Sequence, residues 1–113
     1  MELHVSHEEG YVLAAASGFV DDSAGDLFRE HLHPLVGQQG TKLILDLSQA
    51  KRINSEGLAQ LVMLATNANT HSSRVVLAAC SSFISVVLGR SKLDQFFEVA
   101  ETVAGAVERV LDR

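Results

Sequence analysis

Residues 42–58 run Lys42-Leu43-Ile44-Leu45-Asp46-Leu47-Ser48-Gln49-Ala50-Lys51-Arg52-Ile53-Asn54-Ser55-Glu56-Gly57-Leu58. The first six residues form a short apolar run of the kind found in strands covered on both faces, and such strands belong mostly to parallel sheets. Over residues 56–70 the period changes: Leu58, Leu61, Val62, Ala65 and Ala68 fall on one helical face. Residues 75–79 then supply a second buried strand. A strand, a helix and a strand within about 35 residues is a βαβ crossover, right-handed in nearly all folds.

The flanks extend this unit. Residues 3–6 and 11–16 are apolar-rich and separated by Glu8-Glu9-Gly10, which suits a turn, so they read as a first strand pair. Residues 18–23 break the pattern, and residues 24–35 carry Leu27, Phe28, His31, Leu32 and Leu35 at helical spacing. A helix over residues 82–88, a short strand over 97–99 and a last helix striped by Val103, Ala106, Val107, Val110 and Leu111 complete the chain. The expected fold class is α/β: a small mixed, mostly parallel β-sheet packed by about four helices. No linker or internal repeat divides the sequence, so residues 1–113 read as one domain.

Composition narrows the function classes. Hydrophobic residues make up 47% and charged residues 20%, which fits a soluble globular domain and argues against disorder. The net charge is −5, without the basic footprint of a direct nucleic-acid binder. The charge is uneven. Residues 1–41 hold seven acids and one base, residues 42–92 two acids and six bases, and residues 93–113 five acids and two bases. Two readings stand: solvated faces with no special meaning, or a surface marked by Lys51 and Arg52, just before Ser55, where negative charge is tolerated or sought. Cys80 is the single cysteine, which fits a reducing compartment. The opening residues lack signal-peptide character, and no apolar run reaches the roughly 20 residues needed for membrane insertion. A cytoplasmic location is expected.

The chemistry concentrates where the 42–47 strand gives way to the next helix, since α/β folds place working groups at the carboxyl ends of parallel strands. Asn54 or Ser55 is the expected N-cap. Glu56 adds favourable charge at the positive end of the helix dipole, and Gly57 permits another chain to approach the backbone. A phosphate on Ser55 would meet first-turn N–H groups and that same dipole. Other candidates are weaker. A nucleophile elbow around Ser55 needs glycine where Ile53 stands. His31 and His33 diverge by about 200° on a helix, which disfavours a metal pair, and His31 is expected to pack on the apolar side. Residues 37–42 lack the order of a phosphate-binding loop, and Cys80 is expected to be a small core residue. No catalytic residue, metal or cofactor is expected.

The order of residues in this stretch resembles the STAS domain family, the bacterial anti-sigma factor antagonists. Its signature runs D-L-S, a few residues, an apolar residue and then D-S-[SA]-G-L. Here D-L-S stands at 46–48 and I-N-S-E-G-L at 53–58, with the family's spacing. Gly18-Phe19-Val20-Asp21 is similar to the family's G-x-x-D at the end of the second strand. Leu93-Asp94-Gln95-Phe96-Phe97, with Thr102 and the Ala106-Val107 helix, is similar to its ending, so the resemblance covers roughly residues 3–112.

The resemblance implies a non-enzymatic, protein-binding switch in transcription regulation. Its partners would be an anti-sigma factor that is also a serine-protein kinase, and a serine phosphatase. The unmodified antagonist binds the anti-sigma factor, and phosphorylation of the serine matching Ser55 releases it. The implied contact surface comprises Gly18, Asp21, Asp22, Ser23, Asn54, Ser55, Glu56, Gly57 and Leu58, with the outward face of the following helix. Two positions depart from the signature: Asn54 replaces an aspartate and Glu56 a small residue. The resemblance also admits an accessory subunit of a lipid-trafficking ABC transporter or of a stress-signalling assembly, for which phosphorylation is not obligatory.

Overall fold

The computed structural model describes residues 1–112. Strands β1 (Glu2–Glu8) and β2 (Tyr11–Val20) are followed by helices α1 (Ser23–His31) and α2 (His33–Val36), then by β3 (Lys42–Ile53), α3 (Ser55–Thr70), β4 (Arg74–Ala78), α4 (Ser82–Arg90), β5 (Glu98–Ala100) and α5 (Val103–Leu111). The sheet order is β1-β2-β3-β4-β5. The β1–β2 pair is antiparallel and the other three are parallel. The small mixed, mostly parallel α/β sheet expected from the sequence is therefore the fold, with five helices. No helix among the described residues is long and apolar enough to cross a membrane.

Alternation along β3 sorts the core into two layers. Leu43, Leu45 and Leu47 join Ala14, Phe28, Leu32, Leu61, Leu64 and Ile84 under the first four helices. Ile44 joins Val76, Ala78, Ala106 and Val110 beneath α5 on the opposite face. Past Ile44 the α5 side of the strand turns polar, at Asp46 and Ser48, while the helix-covered side stays apolar through Ala50 and Ile53.

That asymmetry corrects one expectation. The strand does not end at Leu47; it continues to Ile53, and β2 continues to Val20 beside it. β4 pairs with β3 only as far as Asp46↔Ala78, whereas β2 follows it to Val20↔Ile53. The result is a two-stranded overhang. Its open edge is met by α4, whose capping residue Ser81 donates its hydroxyl to the Ala50 carbonyl at 2.7 Å. Polar side chains made this stretch read as a loop, but its pairing is made by backbone groups.

The helix expected over residues 24–35 is also two helices. The break falls at Leu32, with φ −112°, just before His33-Pro34. Pro34 has no N–H to donate to the Glu30 carbonyl and its ring crowds that carbonyl, so one helix cannot run through it, whereas the first turn of a new helix accepts it. The re-orientation reverses the expected histidine roles. His31 is exposed, 3.9 Å from Glu30. His33 is half-buried, with Nδ1 2.8 Å from the Asn67 side-chain nitrogen on α3. Cys80 packs half-buried against the main core, and burial pushes its thiol pKa up.

At the other end of β4, Arg74 donates to Glu98 of β5 through Nε at 2.7 Å and Nη2 at 2.5 Å, and Arg109 of α5 lies 3.7 Å from the same carboxylate. The hydrogen bonds from Arg74 are the main cause of a Glu98 pKa below its ordinary value. A depressed carboxylate pKa stabilises the fold above its unfolded value, and that contribution is lost as pH falls through the folded value. Both partners are partly solvated, so the effect is about 0.5–1 kcal/mol. The measurement is urea unfolding at pH 7 and over about pH 4.5 down to 3: Arg74→Met is expected to lose less stability across that acid range than the unsubstituted protein.

Candidate functional site

The carboxyl ends of β2, β3 and β4 bring three connections to one rim of the sheet: residues 18–23, 53–58 and 80–83. The first two are locked together at the Val20 carbonyl. It accepts the Asn54 N–H at 3.2 Å, and a Cβ on Gly57 would stand 1.9 Å from it. Gly57 is buried. Its missing side chain therefore admits Val20 of the same chain, and the expectation that it opens the backbone to a partner is corrected. Leu58 likewise faces inward, half-buried against the main core.

Asn54 is the N-cap of α3. It is extended, at φ −110° and ψ −179°, and its Oδ1 accepts the Gly57 N–H at 2.9 Å. Aspartate and asparagine cap equally well, so the Asn54 departure preserves the helix start while removing one negative charge. Ser55 is the first helical residue. Its side chain is exposed and makes no hydrogen bond within the described chain. Glu56 is exposed beside it, in the first turn where the helix dipole favours a carboxylate.

Across the lock, Asp21 Oδ1 accepts from the Ser23 N–H at 3.0 Å and from the Ser23 hydroxyl at 2.5 Å. These bonds favour the ionised form and hold the Asp21 pKa below the usual carboxylate value. Asp21 thereby fixes the turn into α1 while Asp22 and Ser23 stay exposed. Gly18 supplies a positive φ of 85° next to the β-bulge at Gly18/Phe19. Every sequence-predicted site residue thus lies on this rim, but only Asp22, Ser23, Asn54, Ser55 and Glu56, with Gly18, are exposed.

Sequence reasoning placed Phe19 within the 18–23 contact loop without giving it a role, and missed Ser81. Phe19 is 40% exposed, and the Arg52 guanidinium carbon stands 5.5 Å from its ring centroid. Ser81 ties the β4–α4 connection to the overhang. An apolar residue between Gly18 and Asp21 was the available signal for Phe19; nothing local marked Ser81, whose partner lies 31 residues away. The rim is a convergent surface. A separate concavity of about 250 Å³, lined by Glu2, His4, Ala15, Asp46 and Ser48 among others, lies at the β1–β2–β3 face. Among the described residues no group of three or more His, Cys, Asp or Glu is placed to hold a metal ion.

The fold and rim define a class: a small mixed-sheet α/β protein that presents an uncommitted serine at the start of a helix anchored to the neighbouring strand. The match to the STAS domain family extends over residues 3–106, and the chain belongs to that family. Solved structures agree in fold. An anti-sigma factor antagonist from Mycobacterium paratuberculosis superposes with a TM-score of 0.84 at 20% identity, covering 98% of this chain and 94% of that one. A serine-to-glutamate form of RsbS from Moorella thermoacetica gives 0.80 at 18%, covering 97% and 95%. The Bacillus cell fate determinant SpoIIAA in its phosphorylated form gives 0.74 at 18%, covering 96% and 99%.

Two substitutions separate the lock from the cap. Gly57→Ala forces Val20 and α3 apart and is expected to destabilise by about 3 kcal/mol or more, as over-packing of a buried site does at its upper end. Asn54→Ala removes one cap bond and costs about 1 kcal/mol. Chemical denaturation checks both, with Asn54→Asp expected to match the unsubstituted protein.

Proposed function

We propose that this protein is an anti-sigma factor antagonist that acts by binding, in the cytoplasm, an anti-sigma factor with serine-kinase activity, and that phosphorylation of Ser55 releases it. The observation that carries this reading is the Ser55 hydroxyl: exposed, without an internal hydrogen bond, and held at the first position of α3 by Asn54 and Gly57 on either side of it. No side chain among the described residues contacts that hydroxyl to draw off its proton, which favours a serine that is acted upon by another protein. Its similarity to SpoIIAA, a protein that has a phosphorylated form, adds support.

The partner-facing surface on this reading is the exposed part of the rim: Gly18, Asp22, Ser23, Asn54, Ser55 and Glu56. A phosphate there brings about −1.5 to −2 charges into a docked surface, next to the Glu56 carboxylate. Desolvation and repulsion then weaken binding without unfolding either molecule. A serine phosphatase resets the state.

A second reading, an accessory subunit of a transporter or stress-signalling assembly, is favoured by Glu56 alone, since a fixed carboxylate beside the serine already carries part of the charge that a phosphate would add. The test is affinity purification from native cells with intact-mass measurement of the recovered chain. Recovery of a histidine-kinase-like ATPase and of a singly phosphorylated species absent from Ser55→Ala is the expected result. Ser55→Asp is expected to bind that ATPase at least about fivefold more weakly, a loss of about 1 kcal/mol that only a minority of interface residues reach. Recovery of a transporter ATPase or permease, with no modified species under any growth condition, overturns the switch.

A further inference from the structure

Helix α4 has an outward face that the fold does not use. Ile84 and Leu88 are buried in the main core, whereas Phe83 and Val86 are 44% and 52% exposed. Residues three apart are neighbours on a helix surface, so these two form one apolar stripe. Gly89 continues it by another three residues. A glycine within a helix weakens it relative to alanine, and elsewhere in this chain the cost has an internal reason, as at Gly57. At Gly89 there is none: a Cβ there would meet nothing within 4 Å, and the backbone has no positive φ. The stripe therefore ends in exposed helix backbone with no side chain over it.

Charge brackets the stripe. Residues 80–92 contain two bases, Arg90 and Lys92, and no acid; the nearest acid in sequence, Asp94, follows them with its N–H on the Leu88 carbonyl at 3.3 Å, which leaves this end with two bases to one acid. At the other end, the bond from Ser81 to the Ala50 carbonyl sets the start of α4 against the strand end that continues into Lys51 and Arg52. Among the described residues none of these four bases forms an ion pair; Arg52 only lies over Phe19. Two copies meeting through α4 would bring bases against bases, and a fluid lipid surface gains nothing from one bare turn of helix backbone. A helix backbone does gain from it, and acids flanking a helical apolar seam complement bases at both ends.

We propose that the Phe83–Val86–Gly89 face of α4 docks an acidic amphipathic helix of a partner protein, with Gly89 admitting its close approach. The site is distinct from Ser55 and stands whether or not that serine is modified.

The test uses the full chain, isotopically labelled, and two synthetic helical peptides that share a leucine seam. One carries glutamates along its flanks and the other lysines. The glutamate peptide is expected to shift the amide resonances of Phe83, Val86, Gly89 and Arg90, and to bind at least about threefold more weakly as salt rises from about 50 to about 200 mM. Gly89→Ala is expected to raise the melting midpoint by about 2–6 °C through helix propensity, yet to weaken peptide binding at least about fivefold. A purely structural glycine would not divide those two readouts in that way. Arg90→Glu combined with Lys92→Glu is expected to reverse the preference toward the lysine peptide. The peptide is expected to leave the amide resonances of Ser55 and Glu56 in place, so failure here is separate from failure of the serine switch. Equal binding of both peptides, no response at α4, or unchanged affinity in Gly89→Ala overturns the proposal. So does a shift of the same resonances by protein concentration alone, or by vesicles of anionic phospholipid but not by the peptide.

Discussion

The structure turns on one carbonyl, that of Val20. It ends the parallel ladder between β2 and β3, takes the Asn54 N–H at 3.2 Å, and occupies the space where a side chain at residue 57 would be. Helix α3 cannot be placed there unless residue 57 is glycine, and residues 18–23 cannot move without carrying the helix start with them. The constraint propagates to α1. A Cβ on Gly25 would stand 3.0 Å from the Gln60 side chain on α3, so the first helix also lies close against the third. Backbone contact, in place of side-chain interlock, sets the relative position of the two segments that form the rim.

The central crossover was legible because burial on both faces leaves no polar position from Leu43 to Leu45, a run that suits a parallel strand between helix layers, and helical spacing follows it. The overhang from Leu47 to Ile53 was not legible, because α5 does not reach it. One face of those residues is solvated, so the side chains alternate imperfectly and resemble a loop, while the pairing lies in backbone groups that side-chain types do not report. The break at Leu32 was marked by His33-Pro34, but helical spacing across it was good enough to hide a change of direction that exchanges His31 for His33. At the site, the order of residues located Ser55 and its cap. Gly57 was misread for a general reason: a missing Cβ says that something approaches, and only the fold says that it is Val20 of the same chain.

The uneven charge of the sequence acquires a spatial meaning. Of the six bases between residues 42 and 92, Arg74 is spent within the fold, bonded twice to Glu98 at the start of β4. Arg52 is half-committed, held over Phe19 with its hydrogen-bond donors still available. Lys42 stands at the start of β3 opposite Arg74, and Lys51, Arg90 and Lys92 are left at the two ends of α4. The mildly basic centre is thus resolved into an internal clamp at one end of β4 and an unspent set around the helix at the other. Net charge alone could not distinguish those uses.

The same accounting explains why Ser55 suits a reversible modification. The interactions that hold the start of α3 belong to its neighbours: Asn54 makes the cap bond, and Gly57 provides the close contact. Ser55 lies between them and contributes neither bond nor buried surface. A group added to its hydroxyl breaks nothing in the fold, and the first-turn N–H groups and helix dipole tolerate a negative charge at that position. The energetic consequence falls almost wholly on whatever is docked against the rim. A serine that capped the helix itself would couple modification to unfolding. On the proposed reading, the cap at Asn54 separates stability from signalling by a single residue.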